Sequence, residues 1–511
     1  MIKKNDILTG TVQSFGSDGE GVLRMEDYVF FVPYALPGEK ISFRVLKIQG
    51  KIGYGKVEEI FVSSPDRVSP VCPVFHTCGG CGLQHMSYAL QTKFKREKVK
   101  NALLKIGGAE AEVSPVVPCA SPYGYRNKLQ LPVGVDGNGN TVLGFYAERS
   151  HRIVPIDRCY IHPEWSAKLI AVFKEYLACS EAKGYDERAK KGLIRHLVAR
   201  EIDGKYLVTI VATEKNLPEK ELLIEKLQAA FPGCSAFVNV NKSDSNVIFG
   251  DRFYSLCGAE HIEGETDGIA YEAGAETFVQ VNPEIREKLY ERAMEACFAG
   301  GAEVVIDAYS GGGLMTAMAA RRAKRAYGIE LNAEASACAE SLKKKNNLAN
   351  MANVCGDAAA ELPRIMAEEN GEKTVLILDP PRAGVARSVL YAILKSKIER
   401  FVMISCDPAT LARDLGILTG TLVEKDGVLI KNTAGARDNR ENNYFRIESV
   451  EPFDMFPQTK HVETLVVLSH KKPDSHLEVK IDFDNTSLDK MAISERAEKR
   501  KPQEKTTYKN M

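Results

Sequence analysis

The sequence has no excess of charge of either sign and no long apolar run. Its 511 residues include 68 lysines and arginines against 68 aspartates and glutamates, so the formal net charge is zero. A nucleic-acid partner therefore cannot be argued from total charge, only from local patches. No uncharged apolar run reaches the roughly 18 residues that a membrane-spanning helix needs, and the first residues, MIKKNDILTG, lack the apolar core of a signal peptide. We therefore expect a cytoplasmic, monomeric protein with no membrane span.

The order of the segments predicts a multidomain protein of the α/β plus β class. Short β-rich segments with glycine-containing turns over residues 1–62 predict a small barrel. Residues 63–290 predict a central α+β domain with clustered cysteines. Residues 291–472 alternate apolar strands with helices, which predicts a doubly wound, mostly parallel Rossmann-like sheet with an antiparallel edge. The tail, 473–511, is charged and poor in aromatic residues, and we expect it to be partly disordered.

Two local patches are basic. Between residues 40 and 56 there are five cations and no acid, namely Lys40, Arg44, Lys47, Lys51 and Lys56. They predict either a cationic face for phosphates on the barrel or a solvated surface balanced by earlier acids. The segment QTKFKREKVKNALLKI predicts a basic helix, and its stretch from Lys93 to Lys100 is a second candidate phosphate-binding surface.

The sequence contains 12 cysteines, and three of them lie close together. In a cytoplasmic chain, clustered cysteines more often bind metal or do chemistry than form disulfides. Cys72, Cys78 and Cys81 form a C-x5-C-x2-C pattern, and Cys159 is the candidate fourth ligand. Four thiolates can hold either zinc or an iron–sulfur cluster, and the spacing leaves both open.

A glycine-rich turn predicts a nucleoside-cofactor pocket. VVIDAYSGGGLMT is a strand, a sharp turn around Gly311 and then a helix, and Glu330 closes the next strand 19 positions after Gly311. An acid at that point suits ribose hydroxyls. The G-x-G-x-x-G spacing of a pyrophosphate-binding turn is absent, so S-adenosylmethionine fits better than a dinucleotide. Asp357 either meets the adenine ring or caps a helix.

A thiol and an acid are predicted to flank the same crevice. LILDPPRAG ends a strand at Asp379, and FVMISCDPATLARDL ends the next one at Cys406. A helix N-terminus and nearby cations are expected to lower the pKa of the thiol, whose thiolate is the nucleophile. Addition of a thiolate to carbon 6 of uracil makes carbon 5 able to attack a methyl group, and a base must then remove the carbon 5 proton. Glu463 is the candidate base and His461 competes with it.

Other functions stay open at this point. DPPR is close to the loop of enzymes that methylate base amino groups, but that function gives Cys406 no task. Cytosine C5-methylation also uses a thiolate, usually carried after a proline in the fourth-strand loop, where this chain has no cysteine. A non-catalytic RNA-binding or redox-sensing protein would be expected to have lost Cys406 or Glu463, and both are present.

Three motifs together resemble the RNA uridine C5-methyltransferases, in particular the bacterial 23S rRNA group with an N-terminal TRAM barrel. They are SCDPATLARDL, DMFPQTKHVET and DPPRAG, and the resemblance covers about residues 1–470. It implies that Cys406 is the nucleophile and Glu463 the proton-abstracting base. It also implies that the methyl donor is contacted by Gln280, Tyr309, Glu330 and Asp379.

The resemblance extends to the N-terminal barrel and the cysteines. It implies an OB-like TRAM domain that binds RNA and a four-iron, four-sulfur cluster on the four cysteines, and it favours 23S rRNA over tRNA as substrate. Two departures are visible. Ser310 stands where the family often has cysteine, and the segment 418–443 is longer than the family pattern.

Overall fold

The computed structural model describes residues 2–369, 372–432 and 444–470. The tail at 473–511, predicted to be partly disordered, lies outside the described residues. None of the helices in the described part of the chain is long and apolar enough to cross a lipid bilayer.

The N-terminal strands form one six-stranded sheet in the order β1-β5-β6-β4-β3-β2. The strands are β1 Ile7–Thr11, β2 Ser14–Phe15, β3 Gly21–Met25, β4 Tyr28–Val32, β5 Lys40–Gln49 and β6 Ile52–Val62. Strand β1 pairs with β5, and strand β2 pairs with β3. Because β1 and β2 are the two edge strands, the short segment that contains both joins the two edges of the sheet. Buried apolar side chains fill the interior, among them Leu23, Phe30, Val32, Ile41, Phe43 and Val45. The identity of this sheet as a TRAM domain stays a prediction.

Acids partly neutralise the predicted cationic face of this sheet. Arg44 lies 2.7 Å from Glu58, and Lys51 lies 3.2 Å from Asp27. Both pairs are largely exposed, so each contributes little to stability. Two of the five cations are therefore less available to a phosphate than the sequence suggests.

The predicted basic helix forms, but one of its lysines faces inward. Helix α1 Tyr88–Ala102 begins at Ser87, whose hydroxyl caps the amide of Leu90 at 3.2 Å, and it runs into a short π-helix, Leu103–Gly107. Lys95 is fully buried and its Nζ lies 2.5 Å from Oδ1 of the equally buried Asp454. The expectation that the whole basic stretch holds phosphates is therefore wrong for Lys95, because the residue lies on the apolar face of the helix.

The central region is built on a seven-stranded sheet in the order β13-β12-β11-β10-β7-β8-β9. Helices α2 Glu164–Cys179 and α3 Lys220–Ala230 share a hydrophobic core with it. A separate hairpin pairs β14 Ile262–Thr266 with β15 Ile269–Ala273. The strands of the large sheet are β7 Lys128–Val135, β8 Thr141–Tyr146, β9 Ile153–Pro155, β10 Ile194–Ile202, β11 Lys205–Ala212, β12 Ser235–Val240 and β13 Arg252–Cys257.

The C-terminal region is a doubly wound α/β sheet, as the alternating pattern predicts. Its order is β18-β17-β16-β19-β20-β24-β23, with the first five strands parallel and the last two antiparallel. The strands are β16 Val304–Asp307, β17 Arg325–Glu330, β18 Met351–Cys355, β19 Thr374–Leu378, β20 Arg400–Ser405, β23 Phe445–Phe453 and β24 Glu463–His470. The helices are α4 Pro283–Phe298, α5 Leu314–Ala320, α6 Ala333–Lys345, α7 Ala358–Glu368, α8 Arg387–Leu394 and α9 Pro408–Thr419.

Local signals in the sequence explain these elements. The central strands are near-continuous apolar runs because helices cover both faces of the sheet, and two separate core clusters lie on its two sides. Side-chain oxygens at Asn282, Asn332, Asp357 and Asp407 accept the first free amides of α4, α6, α7 and α9. Helix α4 spans the predicted domain boundary at 290/291.

The long segment at 418–443 begins with a hairpin. Strand β21 Leu422–Lys425 pairs antiparallel with β22 Val428–Lys431 around a turn at Gly427, whose φ is 77°. The first strand follows directly after α9, which ends at Gly420. Residues 433–443 of this segment lie outside the described part of the chain.

Candidate active site

The parallel strands bring the candidate residues to one edge of the sheet. Strands β16 and β17 end at Asp307 and Glu330, while Asp379 follows β19 and Cys406 follows β20. Ligands of such sheets bind in the crevice beyond the carboxyl ends of the strands. The predicted thiol, the predicted acid and the glycine-rich turn therefore share one crevice.

Cys406 and Glu463 face each other across two neighbouring strands. The antiparallel register of β20 and β24 ends with Ser405 opposite Thr464. Cys406, just past the end of β20, therefore lies beside Glu463 at the start of β24, and the two groups interact electrostatically. Asp407 then caps α9 by accepting the amides of Ala409 at 2.8 Å and Thr410 at 3.0 Å. A strand that ends at Ser405 and a helix that starts at Pro408 hold the thiol between them at the crevice.

Burial raises the pKa of the acids around this pair. Glu463 is 4% exposed. Burial and then the neighbouring Asp379 raise its pKa to about 8, while Arg382 acts in the opposite direction. Burial and then Asp307 raise the pKa of Asp379 to about 7. Burial likewise raises the pKa of Asp307 to about 7, although a hydrogen bond from Thr316 at 2.8 Å opposes the shift.

The thiol does not titrate as the sequence predicts. Burial raises the pKa of Cys406 to about 11, and Glu463 and Asp379 add to the shift while Arg382 opposes it. The expectation of a lowered thiol pKa is therefore wrong for the protein without substrate. Two acids and low solvation outweigh one exposed guanidinium, and the sequence alone did not show how close these acids lie.

The buried acid Asp307 predicts a measurable dependence of stability on pH. Its ordinary pKa is 3.8 and its folded pKa is about 7, so between pH 6 and 8 the folded state loses a proton that the unfolded chain has already lost. Stability must then fall as pH rises through this window, by about 1.4 kcal/mol from this group. We expect Asp307→Asn to remove that part of the slope in urea unfolding followed at several pH values. Equal slopes for the two proteins would contradict the assignment.

The glycine-rich turn leaves open space above its backbone. Gly311 has a φ of 54°, and a Cβ added there or at Gly312 would meet no atom within 4 Å. The amide of Gly311 donates to Oε2 of Glu330 at 2.9 Å, and the amide of Asn332 donates to the other oxygen at 2.7 Å. Each carboxylate oxygen has a second lone pair, so Glu330 can still accept hydrogen bonds from a ligand.

The remaining candidates for the methyl donor are Gln280, Tyr309 and Asp357. Gln280 is 6% exposed and stands just before the N-terminus of α4. The amide of Ala386 donates to the Tyr309 hydroxyl at 3.5 Å. Ala386 lies on the loop that runs from Asp379 to α8. Asp357 caps α7 by accepting the amide of Ala359 at 2.9 Å, so of its two predicted roles the cap is the one seen.

Several residues around the crevice were not among the candidates that the sequence predicts. Asp307 ends β16 and Tyr290 on α4 is buried, and both interact electrostatically with Asp379. Phe278 is 76% exposed although it stands two residues before the buried Gln280. The sequence could have suggested Asp307, which directly follows the apolar run VVI, and Phe278, which is the aromatic residue in TFVQVN. No pattern in the sequence pointed to Tyr290, because its position depends on how helix α4 packs.

His461, the competing base, is poorly suited to accept a proton. Burial lowers its pKa to about 4, and Arg382 and Lys98 lower it further. The ring is therefore neutral at pH 7 and binds a proton weakly. Its neighbour in the chain, Glu463, has a pKa closer to neutrality.

The four predicted metal ligands influence one another's pKa values, but in the described part of the chain they are not found as a group that could hold a metal ion. Burial raises the pKa of Cys81 to about 11 and that of Cys159 to about 12, and Cys72 and Cys78 add to both shifts. Among residues 2–369, 372–432 and 444–470, however, no three cysteine, histidine, aspartate or glutamate side chains converge closely enough to hold a metal ion. The geometry of the four thiols thus does not support the predicted metal site.

A family model matches the crevice itself. Residues 257–429 match the model described as tRNA (Uracil-5-)-methyltransferase. This range contains Gln280, the glycine-rich turn and Cys406, and it ends before Glu463. Together with the doubly wound sheet, the match defines the protein as an α/β methyltransferase.

Full-length similarities give the family. The chain is 39% identical over 474 residues to an uncharacterized RNA methyltransferase of Halalkalibacterium halodurans, covering 92% of this chain and 98% of that protein. It is 36% identical over 472 residues to an uncharacterized RNA methyltransferase of Clostridium tetani, covering 92% and 97%. The chain therefore belongs to the RNA (uracil-5-)-methyltransferase family and is an enzyme that uses S-adenosylmethionine, which confirms the resemblance at the level of the family.

A solved structure shares the fold over nearly the whole chain. It is the crystal structure of Pyrococcus abyssi tRNA (uracil-54, C5)-methyltransferase in complex with S-adenosyl-L-homocysteine. The TM-score is 0.68 at 27% sequence identity, with 90% of this chain and 100% of that chain covered.

Proposed function

We propose that this enzyme methylates carbon 5 of a uridine in 23S rRNA through a covalent bond between Cys406 and carbon 6. The observation that carries the proposal is the opposition of Cys406 and Glu463 across β20 and β24 at the carboxyl edge of the sheet. A nucleophile and a base are the two groups that this reaction needs from the protein. The target base would have to leave its stack to reach them.

The proposed reaction conserves atoms and electrons at each step. Cys406 loses its proton as Sγ adds to carbon 6, and the electron pair of the C5–C6 double bond makes carbon 5 nucleophilic. S-adenosylmethionine, when bound, would supply the methyl group that carbon 5 takes, and its sulfur would keep the electron pair of the broken bond as S-adenosylhomocysteine. Glu463 then accepts the carbon 5 proton, the double bond re-forms and the thiolate leaves. The products are 5-methyluridine, S-adenosylhomocysteine and one proton released to water, and the protein is returned unchanged.

The pKa values favour Glu463 over His461 as the base. A general base works best when its pKa lies near the operating pH. Burial raises the pKa of Glu463 to about 8, whereas burial lowers that of His461 to about 4. Methylation of a base amino group remains the rival, and it gives this thiol and carboxylate no task.

We propose that the methyl donor lies over the glycine-rich turn. The free space above Gly311 supports this position, and Glu330 would bind ribose hydroxyls from the end of β17. Gln280, Tyr309 and Asp379 would contact the rest of the donor. Asp357 would act on the adenine only through its carboxylate oxygen that does not cap α7.

The choice between rRNA and tRNA is tested by mapping the modified nucleotide. The N-terminal sheet and the cysteine segment support 23S rRNA through the family resemblance, while the solved relative is named for tRNA. We expect a strain that lacks this protein to lose one 5-methyluridine in 23S rRNA and none in tRNA, as mapped by mass spectrometry of RNA digests. Loss from tRNA alone would give the substrate as tRNA, and loss from neither would end the proposal.

We further propose a four-iron, four-sulfur cluster at Cys72, Cys78, Cys81 and Cys159. The mutual effect of the four thiols on one another's pKa supports their proximity. Anaerobic purification should yield about four irons and four sulfides per chain, and one equivalent of zinc without iron would contradict this.

Arg382 is predicted to set the pH range of the reaction. Its guanidinium lowers the pKa of both Cys406 and Glu463, so its loss should raise both. We expect Arg382→Gln to lower kcat/KM at pH 7 about 3- to 10-fold and to move the rising limb of the pH–rate profile to higher pH. Arg387→Gln is the matched control, because Arg387 pairs with Glu424 at 3.1 Å. An unshifted limb in Arg382→Gln would contradict the prediction.

A further inference from the structure

The loop between β23 and β24, residues 454–462, leads directly into Glu463. We call it the base loop. Donors from distant parts of the chain bind its backbone carbonyls one after another. The bonds are Asn282 Nδ2 to Met455 O at 3.3 Å, Lys95 Nζ to Phe456 O at 2.9 Å, the Tyr125 hydroxyl to Pro457 O at 3.0 Å, and Lys98 Nζ to Lys460 O at 3.0 Å. The base loop is therefore held by groups outside the methyltransferase sheet.

Gln458 at the centre of the base loop has an unusual backbone. Its φ is 69°, in the left-handed region, and its side chain is 2% exposed. This conformation costs a residue with a Cβ roughly 1–2 kcal/mol, so surrounding contacts must hold it. The amides of Gly82 and Leu83, just after Cys81, donate to its carbonyl at 3.1 and 3.0 Å.

Gln91 on α1 completes the hold on Gln458. Its Nε2 donates to Gln458 Oε1 at 2.9 Å, and its Oε1 accepts the Gln458 amide at 3.0 Å. The same Nε2 lies within 3.2 Å of Leu83 O and 3.1 Å of Met86 O. Gln91 is 1% exposed, so loss of its amide would leave buried polar groups without partners.

We propose that Gln91 is a positioning residue for Glu463. The inference rests on the proposed role of Glu463 as the base. With the Gln91 amide gone, Gln458 can leave the left-handed region, and the chain five residues later would shift Glu463 away from the carbon 5 proton. Displacement of a reacting group by about 1 Å can slow a step by up to about 100-fold. Addition of Cys406 and methyl transfer do not use this loop and should continue.

The test separates proton removal from the earlier steps. We expect Gln91→Ala to lower kcat about 10- to 100-fold, with protein bound covalently to uridine RNA accumulating during turnover. With 5-fluorouridine RNA, where no carbon 5 proton exists to remove, the rate of adduct formation should match that of the unchanged protein. Asn101→Ala is the matched control, because Asn101 lies exposed on the same helix and its Nδ2 donates to Glu97 O within that helix at 2.8 Å.

Further variants make the result interpretable. Gln458→Gly keeps the left-handed backbone without strain and removes only the side chain, so it should reproduce part of the defect and add little to Gln91→Ala. Gln91→Met keeps the volume if Gln91→Ala fails to fold. Equal slowing of adduct formation and of turnover would reduce Gln91 to a structural role, and unchanged turnover would overturn the inference. If the unchanged protein formed no adduct, the proposed function would fail instead.

Discussion

Cys406→Ala is expected to abolish methyl transfer to uridine RNA, with a loss of at least about 10⁴-fold in kcat/KM. Carbon 5 of uracil is a poor nucleophile until sulfur bonds to carbon 6, and no other thiol is positioned to do this opposite Glu463 among the described residues. The rate is measured with labelled S-adenosylmethionine and RNA from the deletion strain. Binding of the methyl donor should be unchanged, because the variant leaves the glycine-rich turn intact.

A second thiol provides the control for that result. Cys355 is exposed at the end of β18 in the same sheet. Strands β17, β16 and β19 separate β18 from β20, so Cys355 lies away from Cys406 and Glu463. Cys355→Ala should therefore keep full activity. Retained activity in Cys406→Ala would favour methylation of a base amino group and remove the covalent mechanism.

Glu463→Gln is expected to stop the reaction after methyl transfer. Turnover should fall about 10²- to 10⁴-fold, the usual worth of a positioned general base. Glutamine keeps the shape of the Glu463 side chain and carries no charge, and burial already disfavours the charged carboxylate there, because it raises the pKa of Glu463 to about 8. The variant should fold normally and accumulate a protein–RNA complex that survives denaturing gel electrophoresis and carries a labelled methyl group.

The neighbouring histidine is the control for the base. His461→Gln should change turnover by no more than a few-fold, because the low pKa of His461 makes it a weak base. If the methylated complex accumulated in His461→Gln and not in Glu463→Gln, the base would be His461 and not Glu463.

The sequence predicted the methyltransferase sheet better than the packing around it. Alternation of apolar strands and helices predicted the parallel sheet, and the positions of Asp379 and Cys406 at the ends of two of its strands predicted that both lie at one edge. The antiparallel edge from 445 to 470 also forms as predicted. These features follow from short-range patterns, which a single sequence carries.

The contacts that join distant segments could not be read in this way. Lys95 and Asp454 are 359 positions apart, and nothing in KREKVK distinguishes the buried lysine from its exposed neighbours. The pKa of Cys406 was predicted in the wrong direction for the same reason, because its shift depends on how deeply the thiol and two acids are buried together. The geometry of the four clustered cysteines likewise depends on packing that the spacing does not encode.

The most direct measurement is a trapping experiment with RNA in which 5-fluorouridine replaces uridine. Fluorine takes the place of the proton that Glu463 would remove, so the reaction should halt with sulfur still bonded to carbon 6. We predict a stable one-to-one complex with the protein and, after digestion, a nucleotide attached to the peptide that contains Cys406. Folded enzyme that methylates uridine RNA but forms no such complex would contradict the covalent mechanism.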